Sequence, residues 1–185
     1  RRDSIMAYKQ HFIEWFSGKQ LPSYWTQVGT GTPSMLDSVD GGFQYVTSSG
    51  DSFMAFNDKK QYAPDGCVMI CAGRRTAGTE MRFGFRGHNT TSNNECAYVK
   101  NGTGSTNIVL RTGHASGDSD TQGSVTADTT AKAFKIECGS ANIKLTINGV
   151  LDITKTTNRP TVRLQPIAGC YNGTSSYNYM EVYNT

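Results

Sequence analysis

Carboxylates are the first place to look for chemistry, and here they are sparse. Fifteen Asp and Glu are spread over 185 residues. Cleaving a glycosidic bond by the covalent two-carboxylate route needs a pair about 5 Å apart across the bond. The close pairs are Asp37 with Asp40 and Asp118 with Asp120, neither with a third acid at a useful spacing; Glu80 and Glu95 stand alone. His11, His88 and His114 are scattered. The chain has no Gly-x-Ser-x-Gly elbow and no phosphate-cradling Gly-Lys-Ser/Thr loop. On these grounds the chain is expected not to be an enzyme.

Three groups of residues suit binding instead. Trp15, Tyr24 and Trp25 carry rings whose faces can stack on the C–H faces of sugars, although core packing is the commoner fate of such residues. Arg74, Arg75, Arg82 and Arg86 make "RRTAGTEMRFGFRG" (74–87) the most basic stretch. In a strand, Arg82, Gly84 and Arg86 share one face and Phe83 and Phe85 the other. That reads as a polar outer face over an apolar core, or as a basic patch for an acidic glycan or an acidic neighbouring subunit. In "GDSDTQG" (117–123), Asp118 and Asp120 offer loop oxygens of the kind calcium takes. No cofactor is otherwise expected.

The five cysteines are Cys67, Cys71, Cys96, Cys138 and Cys170. Cys67 and Cys71 fall on one face of "CVMIC". Four residues of strand span roughly 13 Å, whereas a disulfide needs Cα atoms within about 7 Å. These two cannot pair with each other and read as buried thiols. Nothing in the Cys and His spacing suggests zinc. The net charge of +3 is too mild to argue for nucleic acid. The longest apolar run, 66–73, is too short to span a membrane.

The elements that must position these residues are strands. Twenty glycines, many Thr, Ser and Asn, and 18% charged residues suit a turn-rich all-β chain. Residues 1–10 read as an N-terminal arm or linker and 11–185 as one domain. Strands are expected in 11–18, 51–58, 66–76, 79–87, 96–102, 107–113, 132–139, 162–171 and 177–184, with a Pro break and then a short strand in 21–29 and a strand, an Asp40-Gly41-Gly42 turn and a second strand in 35–49. Hairpins are expected around Ala77-Gly78 and between 96–102 and 107–113. Residues 113–130 are polar and Gly-rich and read as loop with at most a short edge strand. "ANIKLTINGVLDITKT" (141–156) is a hairpin, with Ile143, Leu145 and Ile147 on one face and Asn148-Gly149 as a type I′ turn. So many antiparallel strands without helices must form a sandwich or barrel.

"FKIECGSANIKLTINGVLDITKTTNRP" (134–160) resembles a late hairpin of concanavalin A-like sandwiches, the group of legume lectins, laminin G-like modules and family-16-type glucanases. "VRLQPIAGCYNGTSSYNYMEVYNT" (162–185) is similar to their closing pair, in which the last strand returns beside the first. "FIEWFSGKQLPSYWTQVGTG" with "VDGGFQYVTS" resembles their opening. The resemblance implies an antiparallel β-sandwich of the concanavalin A-like jelly-roll type. The Glu-x-Asp-x-x-Glu strand of the glucanases has no counterpart here. The whole pattern also resembles modules of marine bacteriophage structural proteins. It implies a virion structural or decoration module of capsid, fibre or tail. Its partners would be other virion proteins or a second copy, with contacts to host surface glycans, and no nucleic acid or membrane span. The alternative is a calcium-assisted carbohydrate-binding module of an extracellular or cell-surface protein.

Overall fold

The computed structural model describes residues 11–16, 22–35, 42–56, 61–87, 95–102, 104–115 and 117–185, and of 48–56 the backbone alone. The expected N-terminal arm, His88 and the pair Asp37 and Asp40 lie outside these residues.

Thirteen strands follow one another: β1 (His11–Glu14), β2 (Trp25–Val28), β3 (Thr32–Met35), β4 (Phe43–Phe56), β5 (Cys67–Arg75), β6 (Glu80–Gly87), β7 (Cys96–Asn101), β8 (Asn107–His114), β9 (Gly117–Thr126), β10 (Lys132–Cys138), β11 (Ile143–Ile147), β12 (Val150–Lys155) and β13 (Leu164–Asn184). Hydrogen bonding runs β12-β11-β10-β5-β13-β6-β7-β8-β9, and every pairing is antiparallel. β13 is the spine. Its first half pairs β6 through Leu164↔Gly87 to Tyr171↔Glu80, and its second half pairs β5 through Ser175↔Arg75 to Asn184↔Cys67. Asn172 and Gly173 have φ of 49° and 122° where its register against β4 shifts. Such a bulge adds twist and turns the strand from one layer to the other.

Two layers result. One holds β9, β8, β7 and β6 with the first half of β13, the second half of β4 and β2. The other holds β12, β11, β10 and β5 with the second half of β13 and β1. Alternation places Met81, Phe83 and Phe85 of β6, Phe134 and Ile136 of β10, and Leu145 of β11 in the shared core with Phe43, Tyr45 and Tyr177. The two ends of the path meet: Lys155 on β12 donates to Ser119 and Thr121 on β9 at 2.6 and 2.7 Å, and Asp152 accepts from the Ser124 amide at 2.8 Å.

Several expectations hold. β1 lies beside the last strand, His11 opposite Tyr183. Asn148 and Gly149 have φ of 49° and 83°, as a type I′ turn requires. Cys67 and Cys71 both point inward, and all five cysteines are buried free thiols. Others are corrected. β5 and β6 do not pair, because β13 lies between them, so Ala77-Gly78 turns a corner between layers rather than closing a hairpin. The expected loop at 113–130 contains the ten-residue strand β9. Segments 162–171 and 177–184 are one strand, as are 43–49 and 51–56.

Candidate functional site

The outward side of the first layer carries a connected set of charged side chains among the described residues. On β6 the outward residues are Glu80, Arg82, Gly84 and Arg86. The register carries the row across to Cys96, Tyr98 and Lys100 on β7, then to Val109, Arg111 and Gly113 on β8, and to Asp118, Asp120 and Gln122 on β9. On the other flank lie Gln165, Ile167, Gly169 and Tyr171 of β13.

This face is a covered floor. Cys96, Tyr98 and Ile167 form an apolar cluster separate from the main core, and Arg86 is only 7% exposed. Strands β6 and β7 are therefore buried on both sides at their middles. Gly84 makes this close packing feasible. It has φ of 143°, and a Cβ there would meet the Ala97 carbonyl and lie 2.6 Å from the Tyr98 Cα.

The charges interlock. Arg111 grips Asp120 with two bonds, 2.7 and 3.2 Å, and reaches Asp118 at 3.1 Å. Lys100 donates to Asp120 at 2.9 Å. Arg82 donates to Glu80 and lies 4.9 Å from the Tyr171 ring centre, a cation–π contact. Four cations, Arg82, Arg86, Lys100 and Arg111, face three carboxylates, Glu80, Asp118 and Asp120, among the described side chains. The patch is nearly neutral.

Burial sets the protonation balance. It raises the Glu80 carboxyl above its ordinary value, although Lys100 and Arg111 oppose it. Burial also works against ionising Asp120, but the hydrogen bonds from Arg111 and Lys100 outweigh it and hold that carboxyl low. Burial lowers the Arg82 and Arg86 guanidiniums. Glu80 therefore keeps its proton to higher pH while Asp120 stays ionised. The two carboxyls on this face are thus shifted in opposite directions by their surroundings.

The residues singled out from the sequence part company here. Arg82 and Arg86 are on this face. Arg74 is exposed on the other layer, and Arg75 points inward to bond the Asn101 side chain at 3.4 Å and the Ala127 carbonyl at 3.0 Å. The four arginines are not one patch, because the corner at Ala77-Gly78 sends them to different layers. Asp118 and Asp120 sit on a strand, not a loop, and both are engaged by Arg111. The described residues hold no group of three or more His, Cys, Asp or Glu able to take a metal ion. Trp25 is a core residue, 6% exposed, and Tyr24 bonds the buried Glu14. Trp15 is 63% exposed, on the far side of the sandwich. Glu95 is structural: its carboxylate accepts from the Ala115 and Thr161 amides at 3.0 and 2.7 Å. Tyr98, Lys100, Arg111 and Tyr171 were not singled out. The alternation within "CAYVKNG" and "NIVLRTG", read as one hairpin, carries the signal for the first three.

No family model matches the chain, and no curated protein matches it. Solved structures do. A glycoside hydrolase family 16 endo-glucanase from Bacteroides ovatus superposes with a TM-score of 0.68 at 10% identity, covering 92% of this chain and 99% of that one. A Bacillus licheniformis β-glucanase does so with 0.64 at 15% identity, covering 95% and 98%. The carbohydrate recognition domain of Emp47p gives 0.64 at 9% identity, covering 94% of each. At such identities the likeness shows the fold: the chain is a concanavalin A-like jelly roll. The expectation that it is not an enzyme is overturned by these neighbours. The fold, matched over nearly its whole length, is one that carries endo-glucanases, so the missing Glu-x-Asp-x-x-Glu spacing does not exclude catalysis. The expected virion role finds no support among the similar structures.

Proposed function

We propose that this chain binds carbohydrate across the outward face of β6, β7, β8 and the first half of β13. One observation carries the reading. A covered polar floor of Arg82, Arg86, Tyr98 and Arg111 is bordered by Tyr171, 40% exposed, on a fold shared with glucanases and a carbohydrate recognition domain. Planar guanidinium and carboxylate groups held in fixed pairs present directional donors and acceptors, and a tyrosine ring offers an apolar surface beside them. That combination suits a sugar ring, with hydroxyls at its rim and C–H bonds on its faces. Because the charges nearly cancel, a neutral glycan fits better than an acidic one.

Calcium is not needed in this reading, since Asp118 and Asp120 already serve Arg111 and Lys100. Virion contacts and self-association, expected from the sequence, rest on no observation in the structure.

Electrophoresis of the native chain through gels containing soluble mixed-linkage β-glucan or pectin tests the proposal. Retardation by the β-glucan, unchanged by a calcium chelator and weakened in Tyr171→Ala, is the expected result. Reducing ends released in the same mixtures report cleavage, with Glu80→Gln as the control for the acid. Free migration in both polysaccharides would sink the reading.

A further inference from the structure

The second layer has an outward face of a different kind. Along β1 and into the residue after it, alternation turns Phe12 and Glu14 inward and Ile13 and Trp15 outward. Antiparallel pairing with β13 sets Ile13 opposite Glu181 and His11 opposite Tyr183. Trp15 packs against the next outward residue of β13, Tyr179, with ring centres 4.5 Å apart and planes tilted by 52°. Even so, Trp15 remains 63% exposed. The chain has two tryptophans, and the other, Trp25, is buried.

Beside this ring pair sits a fixed carboxylate. Glu181 bonds His11 through one oxygen at 2.7 Å and accepts from the Tyr179 hydroxyl through the other at 2.6 Å. Each carboxylate oxygen has a second lone pair. Next to it opens a pocket of about 370 Å³, lined by His11, Glu181, Tyr183, Asn184 and Thr185. That is the size of a small-ligand site. In its wall the Asn184 side-chain oxygen is covered and takes no hydrogen bond among the described residues, which leaves an acceptor to be satisfied.

We infer that this face is a second carbohydrate site, where Trp15 and Tyr179 stack on a sugar ring and Glu181, with His11, bonds hydroxyls of a neutral oligosaccharide reaching into the pocket. The inference rests on carbohydrate being the ligand class of this chain. The charge balance argues for a neutral occupant. The nearby Glu137 is bridged by Lys135 at 2.9 Å, and the Glu181 carboxylate would repel an acidic group. The apolar part argues against a protein. Ile13 on β1 and Trp15 just after it are the large hydrophobic residues exposed beside the pocket, far less than a stable interface between copies needs.

Tryptophan emission reads the site directly, because Trp15 is the exposed one of two. Titrating the whole chain with soluble mixed-linkage β-glucan should shift the emission to the blue and protect it from acrylamide. Tyr171→Ala, on the other face, should leave that response intact. Tyr179→Ala and Glu181→Gln should weaken it at least about tenfold, which is about 1.4 kcal/mol, in urea-free buffer at a temperature and pH where each variant is fully folded. An unchanged emission alongside gel retardation that Tyr171→Ala weakens would overturn the second site and leave the first standing. No response in either assay would remove both. A mass that doubles with concentration, and returns to monomer in Trp15→Ala, would make this face a contact between copies and overturn the inference.

Discussion

The two outer faces of the sandwich treat the second side of a sheet in opposite ways. On β6, β7 and the first half of β13, residues that point away from the core are nonetheless covered: Arg86, Cys96, Tyr98 and Ile167 are all buried. Their charged neighbours are tied across three strands. On β1 and just after it, the outward residues His11, Ile13 and Trp15 are exposed, those of the second half of β13 (Tyr179, Glu181, Tyr183) are half-buried, and the polar contacts are local, as between His11 and Glu181. A covered network is preorganised and costly to disturb, because a buried group that loses its partner is not rescued by water. An open face can change a residue at little cost to folding. The first therefore couples binding to stability, and the second separates them.

The largest expected effect is at Gly84. Its Cβ space is filled by the backbone of Ala97 and Tyr98, and its φ of 143° is foreign to a branched residue. Gly84→Val should cost about 3 kcal/mol or more, from strain and overpacking together. A urea midpoint near that of the parent would show that the floor gives way freely, and the contrast between the faces would fail. Gly149→Val is the matched control. Gly149 also has positive φ, 83°, but nothing lies within 4 Å of the Cβ position. Only the turn is strained, so roughly 1–3 kcal/mol is expected. The gap between the two variants measures the covering of the first face.

The pH response separates the faces by sign. Burial raises the Glu80 carboxyl, so the folded chain holds that proton more tightly than the unfolded one. Its contribution is complete below the ordinary value of 4.5 and is lost as pH rises through the raised value. Glu181 behaves in reverse. The Tyr179 hydroxyl, and His11 after it, hold its carboxyl low against a smaller opposing effect of burial. Its contribution is present above 4.5 and is lost as pH falls through the lowered value. Urea midpoints taken from pH 3 to 8 should show Glu80→Gln gaining on the parent as pH rises and Glu181→Gln losing to it. Parallel curves would mean that the two carboxylates share one environment.

How far the sequence reveals this depends on where hydrophobic alternation reaches. β10 and β11 alternate cleanly over one buried side, and Asn148-Gly149 closes the next turn, so that corner was readable to the residue. β9 was not. Its ten residues alternate between intermediate and exposed with no buried position, and a strand without an apolar side leaves no period to find. The false hairpin at Ala77-Gly78 had a different cause. Turn and strands are all present, but β13, about a hundred residues later, inserts between them, and no local pattern announces a non-local pairing. The basic patch failed with it, because Arg74 and Arg75 were assumed to stay in the layer of Arg82. The site was legible only in part for the same reason: β6 displays its arginines in sequence, whereas Tyr98 and Arg111 join them only through register. The expectation against catalysis rests on the spacing of acids, scattered histidines and missing motifs along the chain, whereas the fold, shared with endo-glucanases, becomes visible only in three dimensions.

The smallest expected effect belongs to Trp15. It gives most of its surface to solvent and touches Tyr179 alone among the ring contacts described for it. Truncating it removes little buried area, so Trp15→Ala should shift stability by no more than about 0.5 kcal/mol. The same change should abolish whatever binding the second face contributes to gel retardation by β-glucan. A tryptophan that is dispensable for folding and needed for retention is there for a ligand. A loss of about 2 kcal/mol or more would instead mark the ring as the clasp that holds β1 to β13, and the open face would then be as tied to folding as the covered one.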